Sequence, residues 1–312
     1  MFLFIGNGIF EITVPTEKKL AAIIDGQHRL FAFNHISDID RLDVELPCSI
    51  FFDLPNSYQA FLFATINGNQ KNVDKSLALE QFGFNVEDED KKSWTPEKLA
   101  VFISRRLNFS ETKKSAFFGR IKVAPIFDEE AFKNMNKSNW IISTATIVDG
   151  ILSLISSNPK RDRVEMGQKH IFKGRHRDML HGFRDNAPFR DEFITLNDDF
   201  IYNTVFDYFE QVKNILWENA KPGSYIFKTV GIQALFELLK KILLELQKKE
   251  RISYIDFLRP VASVDFSDNY FQASGVGRSR IKKVLFVSNN FPQKLNEEDE
   301  SSLKRLINYE KS

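Results

Sequence analysis

Five consecutive residues carry the densest chemistry in the chain: Asp25, Gly26, Gln27, His28 and Arg29. Glycine in a turn lets backbone N–H groups approach an anion. An arginine just inside the following helix adds a fixed charge and a two-pronged donor for phosphate. Asp25 and His28 sit close enough to hold a metal, orient a water or exchange a proton there. The same five residues also suit a polar turn between two buried elements, and both readings stand.

Two further groups have comparable potential. Asn67, Asn69, Gln70, Lys71 and Asn72 crowd one loop. Amides such as Asn67 and Gln70 read a base or ribose edge, and Lys71 or Lys75 reaches a phosphate. Equally, Asn and Gly simply favour turns. The third group is basic. Lys160 to Arg190 includes Arg175 and Arg177 with few compensating acids, and Arg278 and Arg280 follow the glycine pair Gly275 and Gly277. Such residues track a DNA backbone in a salt-dependent way, or they only solvate a surface. His170, His176 and His181 match no strong metal-ligand spacing. No Gly-x4-Gly-Lys-Ser/Thr loop occurs, which excludes ordinary P-loop chemistry.

The elements around these residues follow from patterning. Phe2–Ile5 and Ile9–Val14 flank Gly6-Asn7-Gly8 as a hairpin. Ala21–Ile24 reads as a buried strand, and Leu30, Phe31, Ala32 and Phe33 suit a buried helix reaching about Ile36. Val44–Phe52 reads as an edge strand because Pro47 interrupts it. A helix opens at Pro55 and stops at Asn67-Gly68. Glu87-Asp88-Glu89-Asp90 reads as an exposed loop tip, so the expected division is an αβ domain over 1–90 and a mainly α-helical domain over 91–312. Within the latter, Thr95-Pro96 starts a helix to about Leu107. Phe127–Met135 and Ser143–Ile155 are further helices, the second with a stripe of Ile147, Val148, Ile151, Leu152 and Ile155. Two long helices, from Asp198 or Asp199 to about Trp217 and from Thr229 to about Lys249, are expected as an antiparallel pair. Thr229 reads as the N-cap of the second. The fold class is α+β.

Composition narrows the function. A net charge of +1 gives no whole-molecule pull toward nucleic acid, so any DNA contact must be local. The 31 Phe among 312 residues point to a large buried interior. Cys48 is the single cysteine, which excludes an intrachain disulfide and fits a reducing cytoplasm. The apolar start is too short for a signal peptide or a membrane span.

Asp25-Gly26-Gln27-His28-Arg29 is the signature for which the DGQHR-domain proteins are named, and the chain resembles that family there. Phe63 to Val73 is similar to the family's other recurrent stretch. Together they resemble the DndB-type and DpdB-type members, which accompany bacterial DNA modification by phosphorothioation and deazaguanine insertion. A weaker likeness touches Lys228-Thr229-Val230-Gly231 and Ser274-Gly275-Val276-Gly277. The two main stretches lie in the first quarter of the chain. About two dozen residues precede the signature, fewer than the family leads one to expect, which reads as a chain short of the family's first strand and helix.

The resemblance implies a small ParB/sulfiredoxin-like mixed sheet with helices, followed by a mainly helical region. It implies a nucleotide-phosphate site of Gly26, Gln27 and Arg29, with Asn67, Gln70 and Lys71 facing the nucleotide. Asp25, His28 and Arg29 take the catalytic roles. The cofactor is an NTP, ATP first, with Mg²⁺ on Asp25. NTP hydrolysis is the implied activity; a nuclease needs more carboxylates than Asp25 alone. The implied setting is a cytoplasmic accessory protein with DNA and a DNA-modifying enzyme or other system components as partners. Homo-oligomerisation stays open, and no membrane is involved. The alternative is a non-catalytic DNA-binding transcriptional regulator, with Arg175, Arg177, Arg278 and Arg280 as its nucleic-acid footprint.

Overall fold

A computed structural model describes residues 2–6, 9–12, 23–32, 48–51, 54, 58, 59, 62, 63, 66, 89–122, 140–168, 176–246 and 253–307. The chain divides into two compact units, Met1–Val73 and Asp74–Ser312. The described structure is mostly helical with small sheets, an α+β composition. Among the described residues no helix is long and apolar enough to cross a membrane.

In the first unit β1 (Phe2–Gly6) pairs antiparallel with β2 (Ile9–Ile12), forming the expected hairpin. The register runs Phe2↔Ile12, Leu3↔Glu11, Phe4↔Phe10, then shifts before Gly6↔Ile9. Helix α1 (Gln27–Ala32) follows the signature turn. Of the anticipated buried strand before it, Ala21 and Ala22 lie outside the described residues, while Ile23 and Ile24 have no regular structure and Ile23 is exposed. Leu30 and Phe31 also face solvent, so α1 is not the buried helix its composition suggests. Residues 48–51, expected in an edge strand, are likewise irregular, with Ile50 and Phe51 exposed. Tyr58, Gln59, Leu62, Phe63 and Ile66 are helical, and the Gln59 amide donates to the Leu54 carbonyl at 2.8 Å.

The second unit begins ahead of the acidic run, and the end of that run is tied into it. The Trp94 indole donates to the Glu89 carbonyl at 3.0 Å, and the Glu89 carboxylate receives Lys98. Helix α2 (Pro96–Phe109) starts as its sequence indicates, with Thr95 as N-cap accepting from Lys98 N–H and Pro96 in the first turn. Buried Asn108 near its end donates to Ile121 O and accepts from the Arg120 and Ile121 amides. That clamp fixes β3 (Ile121–Lys122), which pairs parallel with β4 (Ile142–Ser143).

Helix α3 (Thr144–Ile155) is capped by Ser143 and buries Ile147, Val148, Ile151, Leu154 and Ile155. Gly150 in its middle has a packing reason: an added Cβ would lie 2.2 Å from the Phe236 ring. Then come α4 (Pro159–Gln168), a 3-10 segment (Arg177–Gly182), α5 (Arg190–Ile194) and α6 (Asp198–Val212). α6 runs on as a π-helical stretch, Lys213–Trp217, which periodicity does not reveal.

Helix α7 (Thr229–Glu245) has Lys228 at the N-cap position, so Thr229 is its first residue rather than its cap. The anticipated α6–α7 hairpin is not its main packing. α7 packs most extensively on α9 (Gly275–Val287) and on α3. It touches α6 through Phe209–Phe236, 4.8 Å between centroids, and through the Tyr208 hydroxyl donating to Leu235 O at 2.9 Å. A short helix, α8 (Tyr254–Leu258), precedes α9, and α10 (Glu297–Ile307) follows with Leu303 buried. The expected helix at Phe127–Met135 lies outside the described residues.

Candidate functional site

The signature forms a turn in which only glycine is at ease. Gly26 has φ +90°, in the left-handed region that side chains with a Cβ resist. Its carbonyl accepts from Leu30 N–H at 3.1 Å, the first bond of α1. Gln27, His28 and Arg29 therefore occupy the opening turn of that helix, with Gln27 exposed and Asp25 half-buried just before it. No acidic residue lies in that turn to compete for a cation or repel an anion. The side chains of His28 and Arg29 lie outside the described residues, as do Asn67, Gln70 and Lys71.

The chain matches no family model, no curated protein and no solved structure.

Among the basic residues of the second unit, Arg177 is internal rather than on a surface that could face DNA. Arg177 is 1% exposed. Its two Nη atoms reach the Asp198 carboxylate at 2.5 and 3.2 Å, Nη1 also donates to Phe193 O, and Nε donates to Trp94 O at 3.1 Å. The guanidinium lies 4.3 Å from the Phe193 ring centroid. Burial pulls its pKa down, opposed by the Asp198 hydrogen bonds. Arg177 thus joins the start of α2 to the start of α6 and has no reach to a phosphate chain. The reason is geometric: a bidentate carboxylate and two carbonyls use the fork from inside.

Arg190 repeats the arrangement, gripping Asp162 at 2.6 and 2.9 Å. Its neighbours Arg161 and Arg163 approach Asp185 at 3.7 Å and Glu97 at 3.3 Å. Burial pushes the Glu97 carboxyl up, against the pull of Arg163. Burial would also raise Asp185, but hydrogen bonds from Ala187 and Ser157 hold it below its ordinary value. Arg161, Arg163, Arg177 and Arg190 of the basic segment are therefore paired with acids of the same unit.

Arg278 and Arg280 lie on α9, not in a glycine loop. Arg278 puts Nε and Nη2 on Glu237, and Arg280 donates to Tyr270 O at 2.9 Å and pairs with Glu298. Gly277 is required by the chain itself, since an added Cβ would lie 1.7 Å from Gln272 O. Arg175 lies outside the described residues. Among the described residues no group of three or more His, Cys, Asp or Glu is placed to hold a metal.

Sequence reasoning missed the buried forks, because the partners are 21 and 28 residues apart, beyond any helical spacing. A shortage of acids beside a run of arginines was the available signal, and it was read as surface charge.

Proposed function

We propose that this chain is a DGQHR-domain, ParB-like protein that binds a nucleotide phosphate at Asp25–Arg29 and acts beside a bacterial DNA-modifying enzyme. The observation that supports this most is Gly26 at φ +90°, directly before a helix whose first turn holds Gln27, His28 and Arg29. That geometry lets backbone amides approach an anion, and Arg29 supplies charge and a fork for phosphate oxygens. In this reading Asp25 carries Mg²⁺ or orients a water, and His28 exchanges a proton with the reacting phosphate. Asn67, Gln70 and Lys71 complete the nucleotide contacts. The ligand is an NTP, ATP first, and its hydrolysis couples the protein to DNA modification.

The regulator reading draws less support, because Arg177 is spent on Asp198, and Arg278 and Arg280 are held by acids of their own unit. The test is thermal unfolding and phosphate release with NTPs and Mg²⁺, wild type against Arg29→Ala. A stabilisation and turnover that disappear in Arg29→Ala support the proposal. Equal behaviour of the two proteins, or no response in either, overturns it.

A further inference from the structure

Arg177 and Arg190 turn their guanidinium groups inward onto aspartates, whereas Arg120 is half-buried with no carboxylate partner among the described residues. Arg177 and Arg190 each close both Nη atoms on an aspartate. Arg120, half-buried beside β3, has no ion-pair partner among the described residues, and its Nη1 is buried without a hydrogen-bond acceptor. Burial alone acts on it, holding the guanidinium below its ordinary pKa. Its guanidinium lies over Trp140, whose ring centroid is 4.8 Å from Cζ.

A second orphan donor stands against the same ring. Trp217 is 7% exposed, and its indole N–H is buried with no acceptor. Its ring lies 5.0 Å from that of Trp140, centroid to centroid. Trp217 ends the π-helical stretch Lys213–Trp217, and single π turns recur at functional sites. The surroundings are aromatic: Phe227 lies 5.6 Å from Trp140, and Phe117 lies 5.4 Å from Trp217.

A cation facing an aromatic ring recovers only part of what a carboxylate would give. Buried donors without acceptors are rare, and each calls for a cause. Both groups here can only donate, and one carries a permanent positive charge. A group that completes both must accept hydrogen bonds, and negative charge on it would match Arg120.

We propose that Arg120 and Trp217, both seated against Trp140, are the donors of a binding site for a small oxyanion, a phosphate or carboxylate group. This site lies in the helical unit and does not rest on the signature turn.

The experiment uses the full chain at constant ionic strength, with sodium phosphate and sodium acetate each titrated against sodium chloride. Thermal unfolding and calorimetry are the readouts. Saturable stabilisation by phosphate alone identifies a phosphate site, by acetate alone a carboxylate site, and by both a general oxyanion site. Arg120→Met should weaken the response by roughly tenfold or more, and should raise the midpoint in anion-free buffer by removing an uncompensated charge. Trp217→Phe keeps the ring, loses the N–H and should weaken binding several-fold; it decides the matter if Arg120→Met does not fold. The proposal is overturned if neither anion gives a saturable response, or if the response survives undiminished in both variants. It also falls if the response is lost in Arg29→Ala but kept in Arg120→Met.

Discussion

Two phenylalanines, one in each unit, sit in opposite surroundings. Phe236 on α7 is 2% exposed, with Leu235, Leu238, Leu239 and Ile242 buried beside it. Phe31 on α1 is 55% exposed, with Leu30 next to it also facing out. The difference lies in repetition. The α7 residues recur at three- and four-residue spacing and so form a stripe that two other helices cover. Leu30 and Phe31 are adjacent, roughly a quarter-turn apart, and the six described residues of α1 hold no repeat of them. Charge inverts the same rule: in the helical unit Arg177 and Asp162 are inside, because each has a partner that closes its hydrogen bonds. Burial follows the availability of a complementary surface or partner, not the polarity of one side chain.

Breaking one buried fork should have the largest effect. Asp198→Ala leaves the Arg177 charge buried and unpaired, and should destabilise the helical unit by about 3–5 kcal/mol. All three tryptophans, Trp94, Trp140 and Trp217, belong to that unit, so denaturant unfolding followed by their emission reads it directly. The double change Arg177→Met with Asp198→Leu should recover much of the loss; no recovery would show that the pair is not the cause.

The phenylalanine comparison comes next. Phe236→Ala should cost about 3–4 kcal/mol in the same measurement, through lost burial and the cavity beside Gly150. Phe31→Ala should change stability by no more than about 0.5 kcal/mol. A large loss at Phe31 would mean that α1 has a covering partner in solution.

A smaller effect than those at Asp198 and Phe236 concerns pH. Burial would raise the Asp299 carboxyl, but Lys283, Tyr270 and the Asn296 amide outweigh it and hold the pKa below the ordinary value. Such a group stabilises the fold above the ordinary aspartate range, and that stability is lost as pH falls through the lowered folded value. Asp299→Asn should therefore cost about 1–2 kcal/mol at neutral pH and flatten the acid limb of the stability profile. Glu97, raised by burial, has the opposite sign. Its stabilising proton is held below the ordinary glutamate range and lost as pH rises through the raised folded value. Glu97→Gln should flatten that slope. Denaturation midpoints at a series of pH values check both.

Much of the architecture was legible from local pattern. Gly6-Asn7-Gly8 announced the hairpin, Thr95-Pro96 announced the start of α2, and the spacing of Ile147, Val148 and Ile151 announced α3. These are contests decided within a few residues by backbone freedom, capping and helical period. The turn at Gly26 belongs with them, since a left-handed glycine before a helix is a local matter. The burial of Arg177, the need for Gly150 and Gly277, the π stretch ending at Trp217 and the unmatched Arg120 were not legible. Each depends on what another element brings: a carboxylate many residues away, an aromatic ring or a carbonyl filling the space of a methyl group, or no acid among the described residues. Sequence by itself determined where helices and turns begin. Only the tertiary structure decided which charges are spent inside and which are left needing a partner, because desolvation and ion pairing act through space rather than along the chain.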